Sequence, residues 1–161
     1  MFGNLQLDQH MVTKNMTPYE VARSGNTHLF WKLFVAARWH ALWARLQGKR
    51  HQLLSLSDEQ DEQTVNGRYY LGVQTVPLNE IVGSEGREND FDAEFRPRQR
   101  HNMDRWLGVA AVRQLDKPLP PVDLIQVGSH YFVRDGHHRV SVARARGEWE
   151  IDALVTRWQI R

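Results

Sequence analysis

The stretch Tyr131-Phe132-Val133-Arg134-Asp135-Gly136-His137-His138-Arg139, running on into Val140-Ser141-Val142-Ala143-Arg144-Ala145-Arg146-Gly147, constrains this chain more than any other. An apolar run of strand type breaks at Asp-Gly, a helix of about two turns begins, and a glycine closes it. A strand that ends by aiming a helix N-terminus delivers free backbone N–H groups and the positive end of a dipole to one place. Such a place receives anions. Gly136 lets a ligand approach the backbone, and Arg139 can fork onto phosphate oxygens. His137, His138 and Arg139 add charge in this reading, and Ser141 follows one turn on.

The same residues admit a purely structural reading. Asp135 is a good N-cap for its own helix, Gly136 can serve the turn alone, and adjacent histidines can sit at the neck of a helix without a ligand. Phosphate receptor and structural cap both remain open on the residues alone.

Asp-Gly-His-His-Arg after a short β-hairpin, followed by Val-Ser-Val-Ala-Arg-Ala-Arg-Gly and a closing strand, resembles the ParB/sulfiredoxin fold over about Gly72 to Thr156. ParB proteins carry a Gly-Glu-Arg-Arg type motif at this place and sulfiredoxins a Gly-Cys-His-Arg. The Asp-Gly-His-His-Arg version is similar to that of ParB-like free serine kinases. The resemblance implies a bacterial-type protein in which the strand–turn–helix carries nucleotide phosphates. It also implies a glutamate from an early loop facing the nucleotide, a role that falls by position on Glu85. His137 stands where sulfiredoxins place their reactive cysteine, and the chain has no cysteine, so sulfiredoxin chemistry is excluded. The helix-turn-helix, dimerisation segment and second phosphate motif of ParB partition proteins do not follow in this sequence. A centromere-binding sliding clamp is therefore not expected.

With 161 residues, 41% apolar and 25% charged, the composition is that of a globular domain with a real core. The absence of cysteine removes disulfides, thiolate metal sites and a cysteine nucleophile. Met1 to Met16 has no continuous apolar core of a signal peptide, so a cytoplasmic location is expected. The net charge is only +2 but is unevenly spread: +5 over residues 1–50, −8 over 51–95 and +5 over 96–161. Two basic segments around an acidic one can present a basic face, without demanding nucleic acid as partner.

Along the chain, residues 1–16 show no clear period and are expected to be a loose or partner-dependent end. Thr17-Pro18-Tyr19-Glu20 reads as a capping box with proline at the first helical position, and Ser24-Gly25-Asn26 interrupts that helix. A long helix capped by Asn26 or Thr27 runs to Gln47, and Gly48 stops it. It is apolar around most of its circumference, but Lys32, Arg38, His40 and Arg45 interrupt it too often for a membrane span. Leu29–Leu46 can pack on the domain or serve as a docking surface, for a membrane face or for a partner chain such as a second copy covering Trp31 or Trp39. Gly48-Lys49-Arg50-His51 is a basic turn, and Ser57 to Thr64 an acidic linker.

From Tyr69 to Val76 the residues are of strand type, and Pro77 ends the run. A helical turn at Leu78 to Val82 and a polar loop over residues 83–104 follow. Met103 to Leu115 has helical spacing. After Lys117-Pro118-Leu119-Pro120-Pro121, Val122 to Val127 and Tyr131 to Arg134 form a hairpin, and Ile151 to Thr156 closes the sheet before a tail at Arg157 to Arg161. The expected organisation is a helical extension and acidic linker at 1–66, then an α+β ParB/sulfiredoxin-like domain with a mixed sheet at 67–161.

Gly83-Ser84-Glu85-Gly86-Arg87 can fold tightly over a ligand. Glu85 there can take a proton from a hydroxyl, hold a magnesium ion or be simply an exposed loop carboxylate, and Arg87 can join the phosphate site. Arg96, Arg98 and Arg100 alternate beside Phe91 and Phe95, a pattern for phosphate or single-stranded DNA and equally for a solvated face. His137 and His138 are neighbours and diverge around the helix, so they do not grip one ion. Asp135 together with a nucleotide's phosphates makes a better magnesium site.

The expectation is a nucleotide-dependent phosphotransferase or ATPase. Gly136, His137, His138, Arg139, Ser141 and Arg87 bind phosphate in it, Glu85, Asp135 and His138 are the catalytic candidates, and a nucleoside di- or triphosphate with Mg2+ is the cofactor. The alternative is a non-catalytic nucleotide- or DNA-binding module, with a nuclease as a weaker third.

Overall fold

The structure, a computed structural model, describes residues 16–48, 51–58 and 65–160. All but the last residue of the end expected over 1–16, the centre of the basic turn and most of the acidic linker lie outside the described residues.

Helix α1 (Pro18–Gly25) starts as its sequence requires. Thr17 Oγ1 accepts from Glu20 N at 3.2 Å, and Thr17 N donates to Glu20 Oε2 at 2.7 Å. Helix α2 (Thr27–Leu46) follows after a break at Asn26. The Asn26 side chain does not cap it; Asn26 Nδ2 donates to Ala22 O and to Gln114 Oε1, both at 2.7 Å.

The sheet has six strands: β1 (Leu54–Ser55), β2 (Val65–Pro77), β3 (Ile81–Ser84), β4 (Val122–Val127), β5 (His130–Asp135) and β6 (Glu150–Ile160), in the order β1-β3-β5-β4-β6-β2. The β1–β3, β3–β5 and β4–β6 pairs are parallel; β4–β5 and β6–β2 are antiparallel. The β4–β5 hairpin is as expected, with Ile125 opposite Phe132. Tyr131, Phe132 and Val133 are all buried, as a central strand covered on both faces demands.

Two expectations change. Only Leu78–Glu80 forms a turn of 3₁₀ helix; Ile81 to Ser84 is a strand, because it lies parallel to β5. Arg157 to Ile160 is not a tail but the end of β6, held by antiparallel pairing to β2 as far as Val65 opposite Ile160. Local pattern does not reveal either segment, since each is fixed by its neighbour in the sheet.

Helices α3 (Met103–Gln114) and α4 (His137–Ala145) complete the fold. One face of the sheet packs Ile81, Leu124, Val133 and Val155 under Phe91, Phe95 and Val140. The other buries Leu56, Ile125, Phe132 and Trp158. A third cluster joins Phe30 and Phe34 of α2 to Trp106 and Leu107 of α3 and Val142 of α4. Gly83 is required where β1, β3 and β5 meet: a Cβ there would lie 2.3 Å from the Phe132 ring and 2.6 Å from Leu54 O.

Candidate functional site

Parallel β3 and β5 end side by side, at Ser84 and Asp135, and α4 begins directly beyond β5. Ligands in sheets of this kind bind outside the carboxyl ends of parallel strands. The loop from Glu85 to Asn102 folds over the same edge, with Phe91 stacked 6.0 Å from the His137 ring and edge-on at 5.4 Å to His138.

Gly136 caps α4 in the left-handed region, at φ 97°, and no side chain caps the helix. A Cβ on Gly136 would lie 2.6 Å from Val122 Cγ1 and 3.0 Å from Arg139 Cζ, so both conformation and space require glycine. The expected Asp135 cap is replaced by an ion pair: Arg139 Nη2 donates to Asp135 Oδ2 at 2.6 Å. Arg139 Nη1 also donates to Pro120 O at 2.6 Å and Pro121 O at 2.7 Å. Its guanidinium thus pins the proline segment before β4 to the first turn of α4. The Asp135 carboxylate itself is 78% exposed.

His137 and His138 are buried. Ser84 Oγ lies 2.8 Å from His137 Nε2 and accepts from Arg87 N at 3.0 Å. Burial, and then the Arg87 guanidinium, push the His137 pKa down to about 4. His138 is likewise pushed to about 4, by burial first and then by Arg87, His137 and Arg105. Both rings are therefore neutral at pH 7 and bring hydrogen-bonding nitrogens to the site rather than the positive charge expected from sequence. Neither ring nitrogen of His138 has a partner among the described residues.

Arg87 donates through Nε and Nη2 to Asp90 Oδ2, at 2.8 and 2.6 Å, and through Nη2 to Asn102 Oδ1 at 2.9 Å. The buried Nδ2 of Asn102 is without a partner among the described residues. Glu85 follows Ser84 at the end of β3, and Arg134 Nε donates to its Oε2 at 3.0 Å.

The structure thus gathers Arg87, Asp135, Gly136, His137, His138 and Arg139 about one strand–helix junction, while the Glu85 carboxylate pairs with Arg134 of β5. Ser141 sits one turn deeper, where its Oγ accepts from Trp106 Nε1 at 2.9 Å in the core. Arg96, Arg98 and Arg100 are not brought together. Arg96 Nε is 3.8 Å from the buried Asp92, Arg98 Nη1 is buried, and Arg100 lies over the Trp31 ring at 5.3 Å. Sequence reasoning overlooked Ser84, Asp90 and Asn102. The end of a strand next to a glycine was the available signal for Ser84; Asp90 and Asn102 sit in a loop with no period.

Among the described residues no group of three or more His, Asp or Glu is placed to hold a metal ion, and no helix is long and apolar enough to cross a membrane. No family model matches the chain, and no curated protein matches it. Among solved structures, the chain is similar to sulfiredoxin from Arabidopsis thaliana, at 19% identity and a TM-score of 0.35, over 52% of this chain and 82% of that one.

Proposed function

We propose that this chain binds a nucleoside di- or triphosphate, with its phosphates on the N–H groups that open α4, and that it uses the nucleotide for phosphoryl transfer or hydrolysis. One observation carries the reading. Beside an uncapped helix N-terminus beyond two parallel strands, both ring nitrogens of His138 and, through its bond to Arg87, the neighbouring Asn102 with its Nδ2 are buried without a partner among the described residues. Buried polar atoms in native proteins are hydrogen-bonded, and a bound ligand is one way to complete them. Phosphate oxygens suit the N–H groups, the helix dipole and Arg87 together.

In this reading Gly136 leaves the approach to the backbone open, and Arg87 turns part of its fork from Asp90 to phosphate. Arg139 acts mainly by holding the first turn of α4 in place. The exposed Asp135 carboxylate fits Mg2+, a hard cation that binds through one or two carboxylates plus the phosphates of its nucleotide. When bound, the ion supplies charge neutralisation at the phosphates. Glu85 accepts the proton of the attacking hydroxyl once Arg134 releases it.

A second reading, binding without turnover, is favoured by one fact: Glu85, Asp135 and Arg139 are all engaged in ion pairs. Calorimetry with each nucleoside di- and triphosphate plus magnesium, run beside a phosphate-release assay, separates the two. Saturable binding with release supports the catalytic reading, and binding alone supports the module. No binding by any nucleotide rejects both. In the catalytic case Glu85→Ala lowers turnover more than affinity; equal turnover removes Glu85 from the reaction.

A further inference from the structure

Helix α2 buries one seam and exposes another. Phe30, Phe34 and Ala37 face the core. Val35, Trp39, Leu42 and Leu46 are exposed, with Trp39 at 60% and Leu46 at 74%. Their spacing of four, three and four residues is that of a seam made for one facing helix. Trp43, 59% exposed, widens it. The seam borders a groove of about 850 Å³ between α2 and the segment at Arg98 and Gln99. Val35, Leu42 and Leu46 offer no aromatic face for a base to stack on, and their regular helical spacing suits another helix better than a nucleic acid.

The charge of the groove narrows the partner further. Its lining includes Arg38, Arg45 and Arg98 and, among the described residues, no aspartate or glutamate. Arg98 Nη1 is buried without a partner among the described residues. On a seam anchored at Val35, Trp39, Leu42 and Leu46, Arg38 and Arg45 occupy the flanking positions where a facing helix places its charges. A second copy laid on the seam brings no counter-charge, because α2 contains no acidic residue.

We propose that the exposed face of α2 docks an amphipathic helix of another protein, with an apolar stripe for Val35, Trp39, Leu42 and Leu46 and carboxylates flanking it for Arg38 and Arg45. The site is separate from the α4 junction and does not depend on nucleotide binding.

The test titrates the full chain with three synthetic helical peptides sharing one leucine seam, their flanking positions glutamate, glutamine or lysine. Tryptophan emission is the readout, assigned with Trp39→Phe and Trp43→Phe. The expected result is a saturable blue shift with the glutamate peptide, at least tenfold tighter than with glutamine, and weakened by salt. In the double variant Arg38→Glu/Arg45→Glu the lysine peptide becomes the tighter ligand by a similar factor. Both positions are exposed, and an unchanged urea midpoint confirms that the variant folds. Equal affinity for all three peptides, or no shift with any, overturns the proposal. So does a free protein whose Trp39 and Trp43 already resist acrylamide quenching, whether light scattering finds a dimer or a monomer.

Discussion

Ser84 Oγ and His137 Nε2 lie 2.8 Å apart, both residues buried, and join the end of β3 to the first turn of α4 across 53 residues of sequence. The same hydroxyl accepts from Arg87 N at 3.0 Å. Ser84→Ala removes one partner from each, leaving two polar groups short in a dry site. The expected loss is about 1–3 kcal/mol in urea unfolding. A variant as stable as the parent would show that this contact does not hold the junction.

Acid should loosen the same junction. His137 and His138 have pKa values of about 4 in the folded protein, depressed chiefly by burial. The unfolded chain binds those protons near pH 6.5. Above that pH both rings are neutral in both states and stability is complete. As pH falls from about 6.5 to 4 the unfolded state takes up protons first, and stability declines. The upper limit is on the order of 3 kcal/mol per ring. Urea midpoints at pH 7.5 and 5 measure it, and a flat profile contradicts the burial of neutral rings.

Arg139→Met should destabilise the fold by about 2–3 kcal/mol, because Pro120 O, Pro121 O and Asp135 all lose a charged donor. Asp135→Asn should cost less than about 1 kcal/mol, since that carboxylate faces solvent. Thermal unfolding of the two variants side by side checks the order. The reverse order would mean that Arg139 serves the anion and not the proline segment.

Gly136→Ala combines a left-handed φ with a 2.6 Å collision against Val122. A destabilisation of about 1–3 kcal/mol is expected from the backbone alone. Under conditions where the variant remains folded, nucleotide affinity should fall at least tenfold, because the methyl displaces the first N–H groups of α4. Undiminished affinity would place the nucleotide elsewhere.

The sequence by itself determined the elements whose signals are local. Thr17-Pro18-Tyr19-Glu20 carries its own cap, Gly48 its own stop, and Asp135-Gly136 its own strand-to-helix turn, because capping and left-handed φ depend on residues within a few positions. The β4–β5 hairpin was legible for the same reason. Tertiary structure decided what depends on distant partners. Ile81 to Ser84 and Arg157 to Ile160 are strands only because β5 and β2 lie beside them. Nothing near Arg139 in the chain announces that two proline carbonyls will take its guanidinium, nor near Ser141 that Trp106 will claim its hydroxyl. The charge state of the two histidines was likewise beyond the sequence. An exposed Asp-Gly-His-His-Arg would carry pKa values near 6.5; Phe91 and the loop folded over the rings exclude water, and exclusion of water disfavours the charged form.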